Sequence, residues 1–293
     1  MTTKPVVKMS IAARGSHPAA LGNARTMLTN HQMQQYEHRG YIFLPACFSK
    51  IEAQVMKLEF QRVMATGTDG HQSGLDVLWA PHTKSEIFDE LARHPRLLGS
   101  SIQLLSSDAY VYRYKLHTKI AFTSELVHWH QDYKRWHDTD GMPSPRITSI
   151  AIFLDEITEF NGALTLIPGS HKEGLLSPLE RTDVFGAAFE KRRYDVDLET
   201  AGRLIEQYGL VQPRGPAGSV LIFDANLVHA SGPNMTPWPR DMALLAHNSV
   251  ENALPPRSNP RPEYKASRTP IPLTSVADDA LLRRASTLTI EHV

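Results

Sequence analysis

Val127-His-Trp-His-Gln-Asp-Tyr-Lys-Arg-Trp-His-Asp-Thr-Asp-Gly-Met-Pro143 places His130 and Asp132 two residues apart in a segment rich in strand-forming residues. Side chains alternate between faces along a strand, so on a strand these two point the same way. An imidazole and a carboxylate on one face are two thirds of a non-haem iron site, in which two histidines and one carboxylate leave the remaining positions open. A third ligand must come from far along the chain. Ala225-Asn-Leu-Val-His-Ala-Ser-Gly-Pro-Asn234 offers His229, just after the strand-like Ser219-Val-Leu-Ile-Phe-Asp224, and Arg240 follows eleven residues later. The chain has 14 histidines, so a His-x-Asp pair alone carries little. The same alternation brings His128 onto the shared face, and periodicity does not choose between the two imidazoles. The argument rests on the whole constellation: His-x-Asp, a distal His after an apolar strand, and an Arg beyond it.

Upstream, Ala109-Tyr-Val-Tyr-Arg-Tyr-Lys-Leu-His-Thr-Lys-Ile-Ala-Phe122 reads as one long alternating strand. Tyr110, Tyr112 and Tyr114 share one face, and Arg113, Lys115 and His117 the other. On pattern alone the charged face is solvated; lining a polar cavity is the alternative. Downstream, Thr139–Pro143 is expected to turn, Ile147–Leu154 to form a buried strand, and Asn161-Gly162 to mark a hairpin into Leu164–Ile167. Residues 172–218 read as a polar insertion with one helix at Leu198–Tyr208. Met242–Val250 supplies another strand, and the proline-rich 252–272 segment wraps the surface in extended form. Nearer the start, Thr29 caps a helix ending at Gly40, and Tyr41–Leu44 is a short strand. Ser49 and Glu52 form a capping box before a helix with Ile51, Val55, Leu58 and Arg62 on one face and Met56, Phe60 and Val63 beside it. Helices are also expected at Ser85–Arg93, from Pro95 toward Leu105, and within Val276–Thr287. Thr66–Gly74 reads as a surface loop.

The chain's 293 residues and 41% apolar content suffice for one large core. One domain is expected over 28–275, with a jelly-roll core at about 109–250, a loose arm at 1–27 and a C-terminal tail at 276–293. Lys and Arg together number 31, as do Asp and Glu, so no overall field favours nucleic acid or an anionic membrane. The expected partner is a small molecule, bound by a monomer or homodimer. The single cysteine, Cys47, excludes an intramolecular disulfide framework and reads as a small buried hydrophobe in a reducing compartment. No apolar run approaches the roughly 20 residues of a membrane helix, and the polar start lacks a secretory core, so a cytoplasmic protein is expected.

The motifs Trp129-His-Gln-Asp-Tyr133, Trp136, Asp140-Gly-Met142, Asn161-Gly162, Ile167-Pro-Gly-Ser-His171, Gly215-Pro-Ala-Gly-Ser219 and Asn248–Leu254 together resemble the phytanoyl-CoA dioxygenase superfamily of iron(II)/2-oxoglutarate oxygenases. Within it, the likeness is to the small-molecule hydroxylases typified by ectoine hydroxylase and trans-4-proline hydroxylase, over roughly residues 28–268. The resemblance implies a mainly β fold with flanking helices, a cupin-like double-stranded β-helix or jelly roll. It implies iron(II), 2-oxoglutarate and dioxygen as cofactor and co-substrates, and His130, Asp132 and His229 as the metal ligands, with His130 chosen over His128. His171 is implied to be structural. Arg240 is implied to hold the far carboxylate of 2-oxoglutarate, a task suited to the guanidinium fork, with Ser231 as an auxiliary hydroxyl and His117 lining the same cavity. Ser231 as a plain turn residue is the alternative. Arg113, Trp136, Phe223 and Met242 match substrate-lining positions, with core packing as the alternative for Phe223. Ectoine hydroxylase carries Gln at the position of Arg113 and Asn at that of His117, which points away from ectoine itself. Retention of Asp132 favours hydroxylation over halogenation, which needs a small residue there. The implied activity is hydroxylation of an unactivated C–H of a free amino acid, imino acid or similar zwitterion. The alternatives are the same chemistry on a larger secondary-metabolite intermediate, with hydroxylation, desaturation or ring formation, and a jelly-roll binding protein or cupin-like isomerase or lyase. Arg240 and the full ligand set argue against the last two.

Overall fold

In a computed structural model of the chain, the described residues are 28–67, 70–72, 75–123, 126–176 and 195–288. Two helices open the fold, each set by a reciprocal cap. Thr29 Oγ1 accepts from the Gln32 amide at 3.2 Å while the Gln32 side chain accepts from Thr29 N at 2.8 Å, starting α1 (Asn30–Arg39). Gly40, at φ 78°, ends it in the left-handed region, and β1 (Tyr41–Leu44) follows. Ser49 and Glu52 repeat the device for α2 (Lys50–Ala65). Its inner face is Ala53, Val55, Met56, Phe60 and Val63. Ile51 and Leu58, expected inside with Val55, are 56% and 36% exposed; the sheet meets the neighbouring row of the helix. That row includes Glu59, which the adjacent Arg62 pairs at 2.6 Å.

Three strands from this third extend the sheet: β1, β2 (Gly70–Gln72) and β3 (Leu75–Trp79). The stretch expected as a surface loop therefore contains β2, paired antiparallel with β3. Helices α3 (Glu86–Ala92), with Ser85 as its cap, and α4 (Pro95–Leu105) follow. Next come β4 (Ala109–Lys119), β5 (Val127–His130), α5 (Asp132–Asp140), β6 (Ile147–Phe153) and β7 (Leu164–Leu166). The rest is α6 (Leu198–Tyr208), β8 (Val220–Asp224), β9 (His229–Ser231), β10 (Arg240–Ser249) and α7 (Ala280–Leu288).

Two antiparallel sheets face each other, one in the order β1-β8-β6-β10-β4-β3-β2 and one in the order β5-β9-β7. This is the expected jelly roll. Alternation along β8 assigns the layers: Val220 and Ile222 join the core under the helices with Val55, Phe60, Phe88 and Leu281, whereas Leu221 and Phe223 face the second sheet with Phe153 and Met242. Beyond the last strand, Arg261 of the extended wrap pairs with the buried Asp140. Among the described residues no helix is long and apolar enough to cross a membrane.

Two local expectations are corrected. Asn161-Gly162 does not close a hairpin, because β6 and β7 belong to different sheets. Asn161 instead holds a crossing loop, accepting from Thr158 N at 2.9 Å and donating to Glu156 O at 2.8 Å. Nor do the three tyrosines of β4 share a face. β10 pairs Ala246 with Arg113 and then His247 with Val111, leaving Tyr112 as the extra residue of a bulge. Tyr110 and Tyr112 consequently pack with Trp136, and Tyr114 packs under the helices.

Candidate active site

A cavity opens on the inner face of the large sheet, lined by Arg113, Lys115 and His117 of β4 together with residues from both sheets. The bulge lies before these three, so their alternation survives; they face the cavity rather than solvent. In the small sheet, His130 ends β5 and sits opposite His229, the first residue of β9, with a register shift between Val127 and His130. Val127 and His130 line the cavity as a result, while His128 does not.

Asp132 is not on the strand. β5 stops at His130, Gln131 is the N-cap residue, and Asp132 is the first residue of α5. Long-range contacts set this break: the buried Gln131 amide donates to Gly174 O and Asn226 O, both at 2.7 Å, and accepts from Leu176 N at 3.0 Å. A carboxylate oxygen of Asp132 lies within 4.8 Å of the ligand atoms of His130 and His229, a set that can hold a metal ion. The α5 N-terminus favours the charge on Asp132.

Both imidazoles turn Nδ1 to a main-chain carbonyl, His130 to His128 O at 2.7 Å and His229 to Leu227 O at 2.9 Å. A proton on Nδ1 satisfies each bond and leaves the Nε2 lone pairs free. Burial, reinforced by His229, pushes the His130 imidazole down to about 3, so it stays neutral. Burial works against ionisation of Asp132, but His229, His130, Arg113 and the Ser149 hydroxyl, which donates at 2.9 Å, together hold its carboxyl below the usual range. Two imidazole donors and one carboxylate fit iron(II) with open positions.

Across the cavity, Arg240 is 1% exposed, yet no carboxylate among the described residues pairs with it. Its Nη1 donates to Gly162 O at 2.7 Å and its Nη2 lies 3.3 Å from His117 Nδ1. Arg240 Nε has no partner among the described residues. Burial, together with Lys115, Arg240 and Lys119, pushes His117 well below its ordinary value, so Nδ1 is an acceptor. Ser231 Oγ, also on the wall, accepts from the buried Lys119 ammonium at 2.9 Å. An orphaned guanidinium donor beside a hydroxyl whose own proton is free fits a carboxylate. Lys119 was missed in the sequence, although the period that grouped Arg113, Lys115 and His117 reaches it in one more step.

Gly162 links these groups. It has a φ of 78°, and a Cβ there would lie 2.6 Å from Lys119 Cδ and 2.9 Å from Gly232 O. Gly162→Ala is therefore expected to cost about 1–2 kcal/mol from the left-handed backbone alone, more from the clash. It should also weaken 2-oxoglutarate binding through Arg240. Urea unfolding and co-substrate titration check both effects.

Elsewhere on the cavity wall, Arg113 lies 4.5 Å from the Trp79 ring centroid, and Lys115 5.8 Å from it. Trp79, which sequence reasoning overlooked, belongs to β3, the partner of the strand that had been taken for a loop. Trp136 is buried edge-on to Tyr112 at 5.2 Å. Phe223 stands edge-on to His229 at 5.0 Å and is buried among the residues between the sheets, so it is both wall and core. Met242 lines the same wall. His171, outside the cavity, donates from Nε2 to Glu37 O at 3.2 Å.

Residues 36–242 match the phytanoyl-CoA dioxygenase family. The chain is 35% identical over 262 residues to the ectoine dioxygenase of Bordetella bronchiseptica, covering 84% of this chain and 85% of that protein. It is 32% identical over 258 residues to the L-proline trans-4-hydroxylase of Streptomyces griseoviridis, covering 84% of this chain and 96% of that one. The crystal structure of EctD from S. alaskensis with 2-oxoglutarate and 5-hydroxyectoine matches with a TM-score of 0.73 at 29% identity, covering 88% of this chain and 90% of that chain.

Proposed function

The chain belongs to the phytanoyl-CoA dioxygenase family and is an iron(II)- and 2-oxoglutarate-dependent dioxygenase; from that premise we propose that it hydroxylates an unactivated C–H of a small amino-acid-like molecule. The observation that carries the reading is the convergence of His130, Asp132 and His229 on one wall of a cavity whose opposite wall holds the unpaired Arg240 guanidinium.

His130 Nε2, His229 Nε2 and one Asp132 oxygen would hold iron(II). Iron(II) there, with 2-oxoglutarate and dioxygen, would supply the oxidation of an unactivated C–H, with succinate and carbon dioxide as co-products. Ser149 fixes the Asp132 carboxylate by hydrogen bonding its second oxygen. Arg240 and Ser231 receive the far carboxylate of 2-oxoglutarate, and neutral His117 orients the guanidinium without competing for the anion. Lys119 holds Ser231 Oγ as an acceptor, which leaves the hydroxyl proton to donate to that carboxylate. Arg113, fixed against Trp79, orients a substrate carboxylate, while Trp136, Phe223 and Met242 form apolar walls that exclude water. Asp132 occupies the position a halide would need, which favours hydroxylation. A single domain over 28–275, working in the reducing cytoplasm with Cys47 in its reduced form, completes the proposal.

The test is succinate formation from 2-oxoglutarate with ferrous iron and ascorbate, with and without a panel of amino and imino acids. Turnover is expected to need iron and to rise with a subset of the panel. No iron-dependent succinate under any of these conditions would sink the proposal.

A further inference from the structure

Three half-buried cations elsewhere in the protein have carboxylate partners. Lys57 meets Asp155 at 2.7 Å and Asp241 at 2.6 Å, Arg96 meets Glu52 at 3.0 Å and Asp278 at 2.8 Å, and Arg261 meets Asp140. The cavity differs. Arg113, Lys115 and Arg240 line it, Asp132 is its one carboxylate, and none of the three cations forms an ion pair among the described residues. The chain as a whole is neutral, with 31 basic and 31 acidic residues, so this excess is local. An unpaired cation away from water is costly; no carboxylate among the described residues pairs with these three, and anions brought by the ligands would.

The charges can be counted, taking the iron and 2-oxoglutarate of the proposed function as given. Iron(II) brings two positive charges and 2-oxoglutarate two negative ones, and these cancel. Arg113 and Arg240 against Asp132 leave one positive charge in excess, and two when Lys115 is protonated, to which a zwitterionic substrate adds nothing net. The surroundings carry both signs: Asp241 and Asp155 act through space on Arg240, whereas at the Arg113 side Arg135 and Arg261 act on Arg113, and Lys265 lies 5.7 Å from the Trp79 ring that Arg113 faces. Stacking fixes the guanidinium plane while leaving its N–H edge for a carboxylate. Burial, then the neighbouring cations, pushes Lys115 down to about 7 and Arg113 to about 10, as expected of a site whose counter-ions come from outside.

We infer that the substrate is a net anion, a small molecule with more carboxylates than ammonium groups, whose excess carboxylate meets Arg113 and Lys115 beside Trp79. An acidic amino acid, or an amino acid whose amine is acylated, has this charge; proline and other neutral zwitterions do not.

The test uses the iron(II) and 2-oxoglutarate complex of the full chain without oxygen. The visible absorption of iron-bound 2-oxoglutarate is recorded first; if it is missing, the oxygenase reading itself fails. With that band present, binding is compared for L-glutamate and L-glutamine, L-aspartate and L-asparagine, and N-acetyl-L-proline and L-proline. The acid in at least one pair should bind about ten-fold or more tighter than its neutral partner, the scale of one charge-assisted contact. Its affinity should fall with added salt, since screening acts on the charge. Arg113→Gln should keep the visible band and lose most of the preference. Equal binding within every pair, no binding by any acid, a preference insensitive to salt, or one that survives Arg113→Gln would overturn the inference.

Discussion

Asp132→Ala and His229→Ala are each expected to yield a folded protein that does not turn over. In the proposed site each residue would supply one of three bonds to iron, while the core that holds the fold lies between the sheet and α2, α3 and α7 and along the sheet interface. The loss should exceed the roughly 10–100-fold typical of removing an outer partner of a metal ligand. Ser149→Ala supplies that comparison within the same site, because the hydroxyl touches only the second oxygen of Asp132 at 2.9 Å. His128→Ala should leave iron binding largely intact, since only the main-chain carbonyl of His128 serves the site, as acceptor for His130 Nδ1 at 2.7 Å. Iron titration followed through the visible absorption of the 2-oxoglutarate complex, with circular dichroism to confirm folding, gives the order. Wild-type iron affinity in His130→Ala together with loss in His128→Ala would show that the wrong imidazole had been assigned.

Features settled within a few residues were legible in the sequence. Both capping boxes follow from side-chain hydrogen bonds spanning three residues, and the layers of β8 follow from strict alternation in Val220–Asp224. The candidate ligands were legible as residue types at a spacing, but the geometry that joins them was not. His130 and Asp132 converge because a strand ends and a helix begins between them, and the break is set by Gln131 bonding to Gly174 and Asn226, 43 and 95 residues away. The tyrosines misled for a similar reason. An extra residue at Tyr112 exists only relative to β10, more than 100 residues downstream, so no period within β4 shows it. Arg113, Lys115 and His117 looked like a solvated face because the helices covering the opposite face of β4 are set by tertiary packing. The motif resemblance, not the pattern, turned them inward.

Arg240→Ala is expected to raise the KM for 2-oxoglutarate by about 10²-fold or more, the range for losing a buried, charge-assisted fork of roughly 3–5 kcal/mol. The guanidinium is aimed by Gly162 O at 2.7 Å and His117 Nδ1 at 3.3 Å, so it is already oriented before the co-substrate arrives. Without that anion the arrangement opposes stability. Burial pushes Arg240 down to about 10, with Asp241 and Asp155 offsetting only part of the effect. An apolar replacement of similar length should therefore separate fold from function. Arg240→Met should unfold near the wild-type temperature, or slightly above it, in the absence of ligands, while losing the thermal stabilisation that 2-oxoglutarate gives the wild type. Arg240→Lys should recover part of the affinity, because an ammonium restores the charge but not the paired N–H edge. If the far carboxylate is held equally before and during the reaction, kcat at saturating co-substrate should change much less than KM in all three variants. An unchanged KM for 2-oxoglutarate in both Arg240→Ala and Arg240→Lys would remove Arg240 from the co-substrate site. A fall in kcat with KM untouched would assign it instead to a step after binding.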